Sequence, residues 1–234
     1  MNKVNGRFIA ILGPVGVGKS TVINYLIKML RSNNYYAIRV FIKAMHGPAY
    51  VLWLIISRLL GMPRKWGPYF YVMEAGYKPV KFLKVLSVYL DALVSIPFKI
   101  LYIKLLNLLG FIVISEEYLP ASIYHHLYDY IRYGIEGNLA YFPLKIIYAF
   151  SIHYRPDVII VLDSNLSTII DRWKMRGYGD PHPYTYVLPL RIFLLRILMK
   201  YFNGNIHVID TDNSNANEIA NYIIEKILYL KELR

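Results

Sequence analysis

The sequence contains no cysteine and, along its 234 residues, no glutamine. Without cysteine there is no disulfide, no redox dithiol and no thiolate metal centre. Acidic residues are also scarce. Asp and Glu total 15 against 27 Lys and Arg, a formal net charge of +12. That imbalance calls for an anionic partner: nucleotide phosphates, nucleic acid or an anionic membrane surface. A third shortage is of uncharged hydrophobic runs. Hydrophobic residues make up 56% of the chain, ample for a core. The most apolar region, Phe82 to Ser115, is nevertheless interrupted by Lys84, Asp91, Pro97, Lys99 and Lys104. A membrane span needs roughly 20 apolar residues in succession. The region therefore reads as one or two buried helices followed by a core strand, with a membrane-docking surface as the rival. The N-terminus runs almost directly into a first strand, which leaves no cleavable signal and points to a cytoplasmic setting. Missing Cys and Gln with abundant Ile, Tyr and Lys lean toward a hot environment, against which the many Asn residues argue.

What is present is concentrated in one stretch. Gly13-Pro14-Val15-Gly16-Val17-Gly18-Lys19-Ser20-Thr21 fits the phosphate-binding pattern G-x-x-x-x-G-K-[ST]. Glycines let the backbone turn its N–H groups inward as an anion nest. The Lys19 ammonium reaches β- and γ-phosphates, and the Ser20 hydroxyl sits on Mg²⁺. At average glycine usage, a chance match in a chain of this length is on the order of one in a hundred. The flanks agree with the motif. Phe8 to Leu12 suits a buried parallel strand and Thr21 to Leu30 has helical spacing, so a helix N-terminus faces the phosphates.

Further along, apolar runs and helical patterns alternate. Strands are expected at Tyr36–Ile42, Phe111–Ile114, Val158–Leu162 and Ile206–Ile209. Helices are expected at Val51–Leu60, in a zone Ser122–His153 broken by Gly134, Gly137 and Pro143, and at Leu166–Met175, Leu188–Phe202 and Glu218–Lys231. Gly61 through Pro68 reads as a loop. Strands separated by helices imply crossovers and hence an α/β fold, with a five-stranded parallel sheet covered on both faces. There is no internal repeat or low-complexity linker, so one domain, 1–234, is the economical organisation.

Five stretches in order resemble thymidylate kinases and the wider nucleoside and nucleotide kinase group. These are the phosphate loop, Val113-Ile114-Ser115-Glu116-Glu117-Tyr118 where the family has an apolar strand ending in Asp-Arg-Tyr, Arg155-Pro156-Asp157-Val158 to Asp163, a basic lid with Arg172, Lys174 and Arg176, and Val208-Ile209-Asp210-Thr211. The resemblance implies a P-loop NTPase fold of three αβα layers, with a lid at about 172–187. It implies a kinase using ATP and Mg²⁺, with the adenine near Thr211 and a nucleoside monophosphate, thymidylate first, as acceptor. There are departures. Glu117 and Ala92 stand where the family has arginines around the acceptor phosphate, and Tyr124-His125-His126 stands where it has a thymine-contacting Ala-Tyr-Gln. An Arg fork binds phosphate, whereas a carboxylate repels it.

The candidate residues follow. Lys19, Arg172 and Arg176 would stabilise the transferring phosphoryl group. Glu116 would act as base or, with Ser20, as magnesium ligand. Lys43, Asp91, Glu117 and Tyr124 would line the acceptor site, with His46 near Lys43. Asp163 reads as a helix N-cap, and His125-His126 lacks the company a zinc site needs. The tyrosines read as packing rather than a nucleic-acid stacking surface. A neutral or lipid-like hydroxyl acceptor, and a non-catalytic ATP-binding role, stay open beside the phosphate acceptor. Peripheral membrane contact and a homodimer stay open as well.

Overall fold

The computed structural model describes residues 6–61, 72–73, 79–175, 182–202 and 205–232. Five strands form one parallel sheet: β1 (Arg7–Leu12), β2 (Ala37–Phe41), β3 (Ile112–Glu116), β4 (Val158–Asp163) and β5 (Ile206–Asp210), in the order β2-β3-β1-β4-β5. The expected sheet is present. Eight helices join them among the described residues: α1 (Lys19–Ser32), α2 (Pro48–Leu59), α3 (80–108), α4 (Leu119–Tyr133), α5 (Asn138–His153), α6 (Leu166–Met175), α7 (Leu188–Tyr201) and α8 (Ala216–Glu232). The expected loop from Gly61 to Pro68 lies, apart from Gly61, outside the described residues.

Alternation along the central strands divides the core in two. Ile9, Ile11, Ile112, Ile114, Ile160 and Leu162 face α1 and α8, while Phe8, Ala10, Leu12, Val113, Ile159 and Val161 face α3, α4, α5 and α7. This is why the strand sequences read as continuous apolar runs rather than alternating ones. The charged start of β1 is absorbed by pairing. Arg7 lies 3.8 Å from the Asp157 carboxylate, which also accepts the Phe8 N–H at 2.8 Å.

Neighbouring β1 and β3 send their chains to opposite faces, β1 into α1 and β3 into α4. The divergence opens a crevice at their carboxyl ends, where open α/β sheets hold ligands.

One expectation about helices is met and another needs correction. The apolar region forms one long helix, α3, whose middle turn, Asp91–Ser95, is a π turn. Pro97 does not interrupt it, because it falls in the first turn after that widening. Pro143 does not break α5 either. Lacking an N–H, it leaves the Leu139 carbonyl without its helical donor, and the Tyr89 hydroxyl donates to that oxygen at 3.0 Å.

Helices α3 and α4 are joined by a buried ion pair between Lys84 and Asp129. Removing one member of such a pair is costly, and removing both is much less so. Lys84→Met should therefore lower unfolding stability by about 3–5 kcal/mol, and Lys84→Met/Asp129→Leu should recover most of it in denaturant titrations.

Candidate active site

The loop after β1 is shaped by contacts that only glycine tolerates. A Cβ on Gly13 would lie 2.2 Å from the Leu162 carbonyl oxygen, and its φ is +139°. Gly18, with φ +99°, opens α1 without a capping side chain or an acidic residue in the first turn. The helix thus begins with its N–H groups and positive dipole end uncompensated by its own sequence. Within the loop, the Lys19 ammonium donates to the carbonyls of Gly13 at 2.6 Å and Pro14 at 2.9 Å.

Across the crevice, β3 delivers Glu116 opposite Ile11 of β1. Its carboxylate accepts the Ser20 hydroxyl at 3.1 and 3.3 Å, pairs with Arg39 from β2, and lies 3.6 Å from the Lys43 ammonium. Successive strand residues normally point to opposite faces, yet Glu117 also faces the crevice. Its backbone is left-handed, with φ +67°, and this breaks the alternation. Such a conformation is strained for a residue with a side chain and is found at functional sites. Glu117 lies 3.7 Å from Lys43, 4.0 Å from Lys19 and 3.5 Å from His125 Nε2. Burial pushes its pKa up. The hydrogen bond and charge of His125, with the charges of Lys19 and Lys43, outweigh this and hold it at about 2.

His125 extends the chain of contacts, its Nδ1 standing 2.6 Å from the Tyr186 hydroxyl. Tyr186 belongs to a π turn, Pro183–Val187, that precedes α7. Tyr124 points away into an aromatic cluster with Tyr128, Tyr186 and Phe193, and donates to the Tyr186 carbonyl at 2.9 Å. Burial, reinforced by Tyr128, raises its pKa to about 12. Tyr124 is thus placed as packing behind His125. Asp91 is buried beneath the loop after β2, where it accepts the Met45 N–H at 2.6 Å and lies 3.3 Å from His126 Nε2. The Ser95 hydroxyl holds the His46 carbonyl of the same loop at 2.8 Å. Lys99 also lies within reach of the site. Burial lowers its pKa, while the charges of Asp91 and Glu117 work the other way.

On the β4–β5 side, Arg172 donates to Thr211 Oγ1 at 3.3 Å and approaches the Gly16 carbonyl at 3.5 Å. The expected lid arginine and the expected adenine-side threonine therefore meet beside the phosphate loop. Arg176 lies outside the described residues. Asp163 is not a helix cap. Its carboxylate takes the Arg191 guanidinium at 2.5 Å, and Asp212 accepts the Asn165 N–H just ahead of α6.

Sequence reasoning gave no site role to Arg39 or Tyr186, and placed His125 only within the segment standing where the resembled family contacts thymine. Arg39 had a readable signal, a lone cation inside the apolar run Ala37–Phe41. For His125 the doublet was visible, but not which ring faces inward. Nothing in the sequence tied Tyr186 to it.

The Ser20 hydroxyl and the Glu116 carboxylate beside the glycine loop form a hard-oxygen donor set that suits Mg²⁺, which binds through one or two carboxylates and substrate phosphates. Among the described residues no cluster of three or more His, Asp or Glu could cage a metal by itself. No protein-family model matches the sequence, and no curated protein does. Among solved structures, a thymidylate kinase from Candida albicans is similar in fold: 16% identical, covering 97% of this chain and 93% of its own, with a TM-score of 0.60. The fold is thymidylate kinase-like. At that identity the likeness speaks for the fold alone.

Two outcomes follow. Glu117 has a folded pKa near 2 against an ordinary 4.5, so its ionised form stabilises the fold above about pH 4.5, and this contribution is lost as pH falls toward 2. Glu117→Gln should flatten the acid limb of the melting temperature between those values. Gly13→Ala should destabilise the loop by more than about 1 kcal/mol, seen as a lower melting temperature without ligand.

Proposed function

We propose that this chain is an ATP-dependent phosphotransferase. The observation that carries the reading is the convergence at one sheet edge of a phosphate nest, the Lys19 ammonium, and Ser20 hydrogen-bonded to the Glu116 carboxylate. Glycine N–H groups and the α1 dipole would take the β- and γ-phosphates. Lys19 would exchange its two loop carbonyls for phosphate oxygens. Ser20 and Glu116 would hold Mg²⁺, directly or through water. The ion, when bound, neutralises charge on the β- and γ-phosphates. Arg172, beside Gly16 and Thr211, would hold the nucleotide from the other side. Catalysis of this kind is positioning plus charge stabilisation.

The acceptor would enter between Glu116, Glu117 and the loop 43–48. The family resemblance names a nucleoside monophosphate, thymidylate first. A second reading, an alcohol acceptor, is favoured by the Glu117–His125–Tyr186 chain. A phosphate acceptor is already ionised near neutral pH and needs no base, whereas a hydroxyl does. A carboxylate orienting an imidazole, whose other nitrogen meets a hydroxyl, is the arrangement that supplies one. In that reading the acceptor O–H bond breaks as its oxygen bonds to the γ-phosphorus. The bridging P–O electrons leave with ADP, and the acceptor's proton would pass to the Tyr186 oxygen as the Tyr186 proton passes to His125 Nδ1. Glu117, ionised and buried, also repels a second anion from the place where the family binds one.

ADP release should be followed at fixed MgATP with nucleoside monophosphates, nucleosides and short polyprenols as acceptors. Acceptor-dependent turnover supports a kinase, and its absence with every acceptor leaves a nucleotide-binding protein. Lys19→Ala should lower ATP affinity or turnover by orders of magnitude with little change in melting temperature. Glu116→Gln should retain ATP binding and lose about a hundredfold or more in kcat. His125→Asn should lower kcat by a similar factor for alcohols and hardly at all for phosphates. If thymidylate gives the highest kcat/KM, with His125→Asn unimpaired, the alcohol reading fails.

A further inference from the structure

Strand β2 is the edge of the sheet, and its sequence turns one cation inward. Arg39 lies opposite Ile114 and Phe41 opposite Glu116, so alternation puts Arg39 on the side of the sheet that α1 covers, with Ala37 and Ile114. From there its guanidinium reaches the crevice. One nitrogen pairs with Glu116 Oε2, the oxygen that also accepts the Ser20 hydroxyl at 3.3 Å. Nη1 donates to Asn24 Oδ1 of α1 at 3.4 Å, and the group lies 4.5 Å from the centre of the Phe41 ring. Nε is buried with no hydrogen-bond partner. This is not the two-pronged grip that makes an Arg–carboxylate pair strong. It is a hold that can be exchanged, with Asn24 and Phe41 to keep the guanidinium close once it lets go.

Ser20 and Glu116 are also the residues that would hold Mg²⁺ under the kinase reading, on which this inference rests. Ion and guanidinium then need the same carboxylate. A dication arriving by itself would have to displace Arg39. It would also meet the charge of Lys43, 3.6 Å from the other oxygen of Glu116, and of Lys19, 4.0 Å from Glu117. An ion arriving on a nucleotide brings phosphate charge with it, which offsets both lysines. We propose that Arg39 competes with Mg²⁺ for the Glu116 carboxylate, so that the site takes up the ion with the nucleotide and not alone. Arg39 is thus a positioning residue that acts through Glu116. It retakes the carboxylate when ADP leaves with its ion, and this resets the site for the next nucleotide.

The test measures the affinity of the full chain for Mn²⁺, a spectroscopic substitute for Mg²⁺, by electron paramagnetic resonance without nucleotide. Arg39→Met should bind the bare ion about tenfold or more tightly than the wild type, the scale of one charged hydrogen bond. Arg39→Met/Glu116→Gln should lose that gain. An arginine that only ties β2 to β3 would lower the melting temperature when replaced and leave Mn²⁺ affinity unchanged, and this result overturns the proposal. Weaker Mn²⁺ binding by Arg39→Met overturns it as well. Failure of the underlying reading looks different: Mn²⁺ binding that is the same in the wild type and Glu116→Gln places no metal on that carboxylate. Should Arg39→Met fail to fold, the wild-type chain still decides. Its Arg39 guanidinium NMR signal should move when Mg²⁺ and ADP are added together, and an unmoved signal overturns the proposal.

Discussion

The parallel pairing of β1 with β3 sets the geometry of the candidate site. Ile11 lies opposite Glu116, so the strand that leads into the Gly13–Thr21 loop and the residue that carries the first carboxylate are fixed by the same ladder. The Glu117 N–H extends it by donating to the Ile11 carbonyl at 3.0 Å. A slip of one residue would turn Glu116 into the opposite face of the sheet. The close shape fit of the buried Ile and Val residues against the helices on both faces opposes that slip. The precision of a polar site therefore rests here on apolar packing.

Around that ladder the site is a balance of charge. Two carboxylates beside each other repel, and one of a close pair usually keeps its proton. Here Lys43 lies near both, with Arg39 added on one side and Lys19 and His125 on the other. Glu117 stays ionised while buried. The lysines and the arginine among them would be released in part to any phosphate that entered. The carboxylates thus keep a cationic cradle ordered when no phosphate is there.

Much of the fold was legible because its signals are periodic. Buried parallel strands read as short apolar runs, and helix α6 falls between the residues where its pattern starts and stops, Leu166 and Met175. The tight glycine loop after β1 was legible because the residues that shape it are contiguous. Illegible were the features settled by tertiary contact. Pro143 continues a helix because a tyrosine from α3 answers its missing donor, and Asp163 leaves its expected cap for an arginine on α7. Glu117 was ambiguous for a local reason, since alternation sends neighbours to opposite faces unless one residue takes a positive φ. The Tyr186–His125 contact joins residues 61 apart in sequence, which no local pattern encodes.

The π turn in α3 explains an oddity in where its buried residues fall. Lys84, Val88, Ala92, Ile96 and Ile100 recur every fourth residue, but four residues carry an ordinary α-helix about 40° beyond a full turn. Over such a stretch the inward side would spiral away from the sheet. The widened turn holds one residue more than its neighbours and resets the phase midway. The helix keeps a single inward side along its length, and so a single outward one. Deleting one residue between 91 and 95 would rotate the second half by about 100° relative to the first. That would carry Ile96 and Ile100 away from the core and bring the outer leucines toward it. The length of that one turn is therefore a positional constraint as strict as any side chain in the crevice.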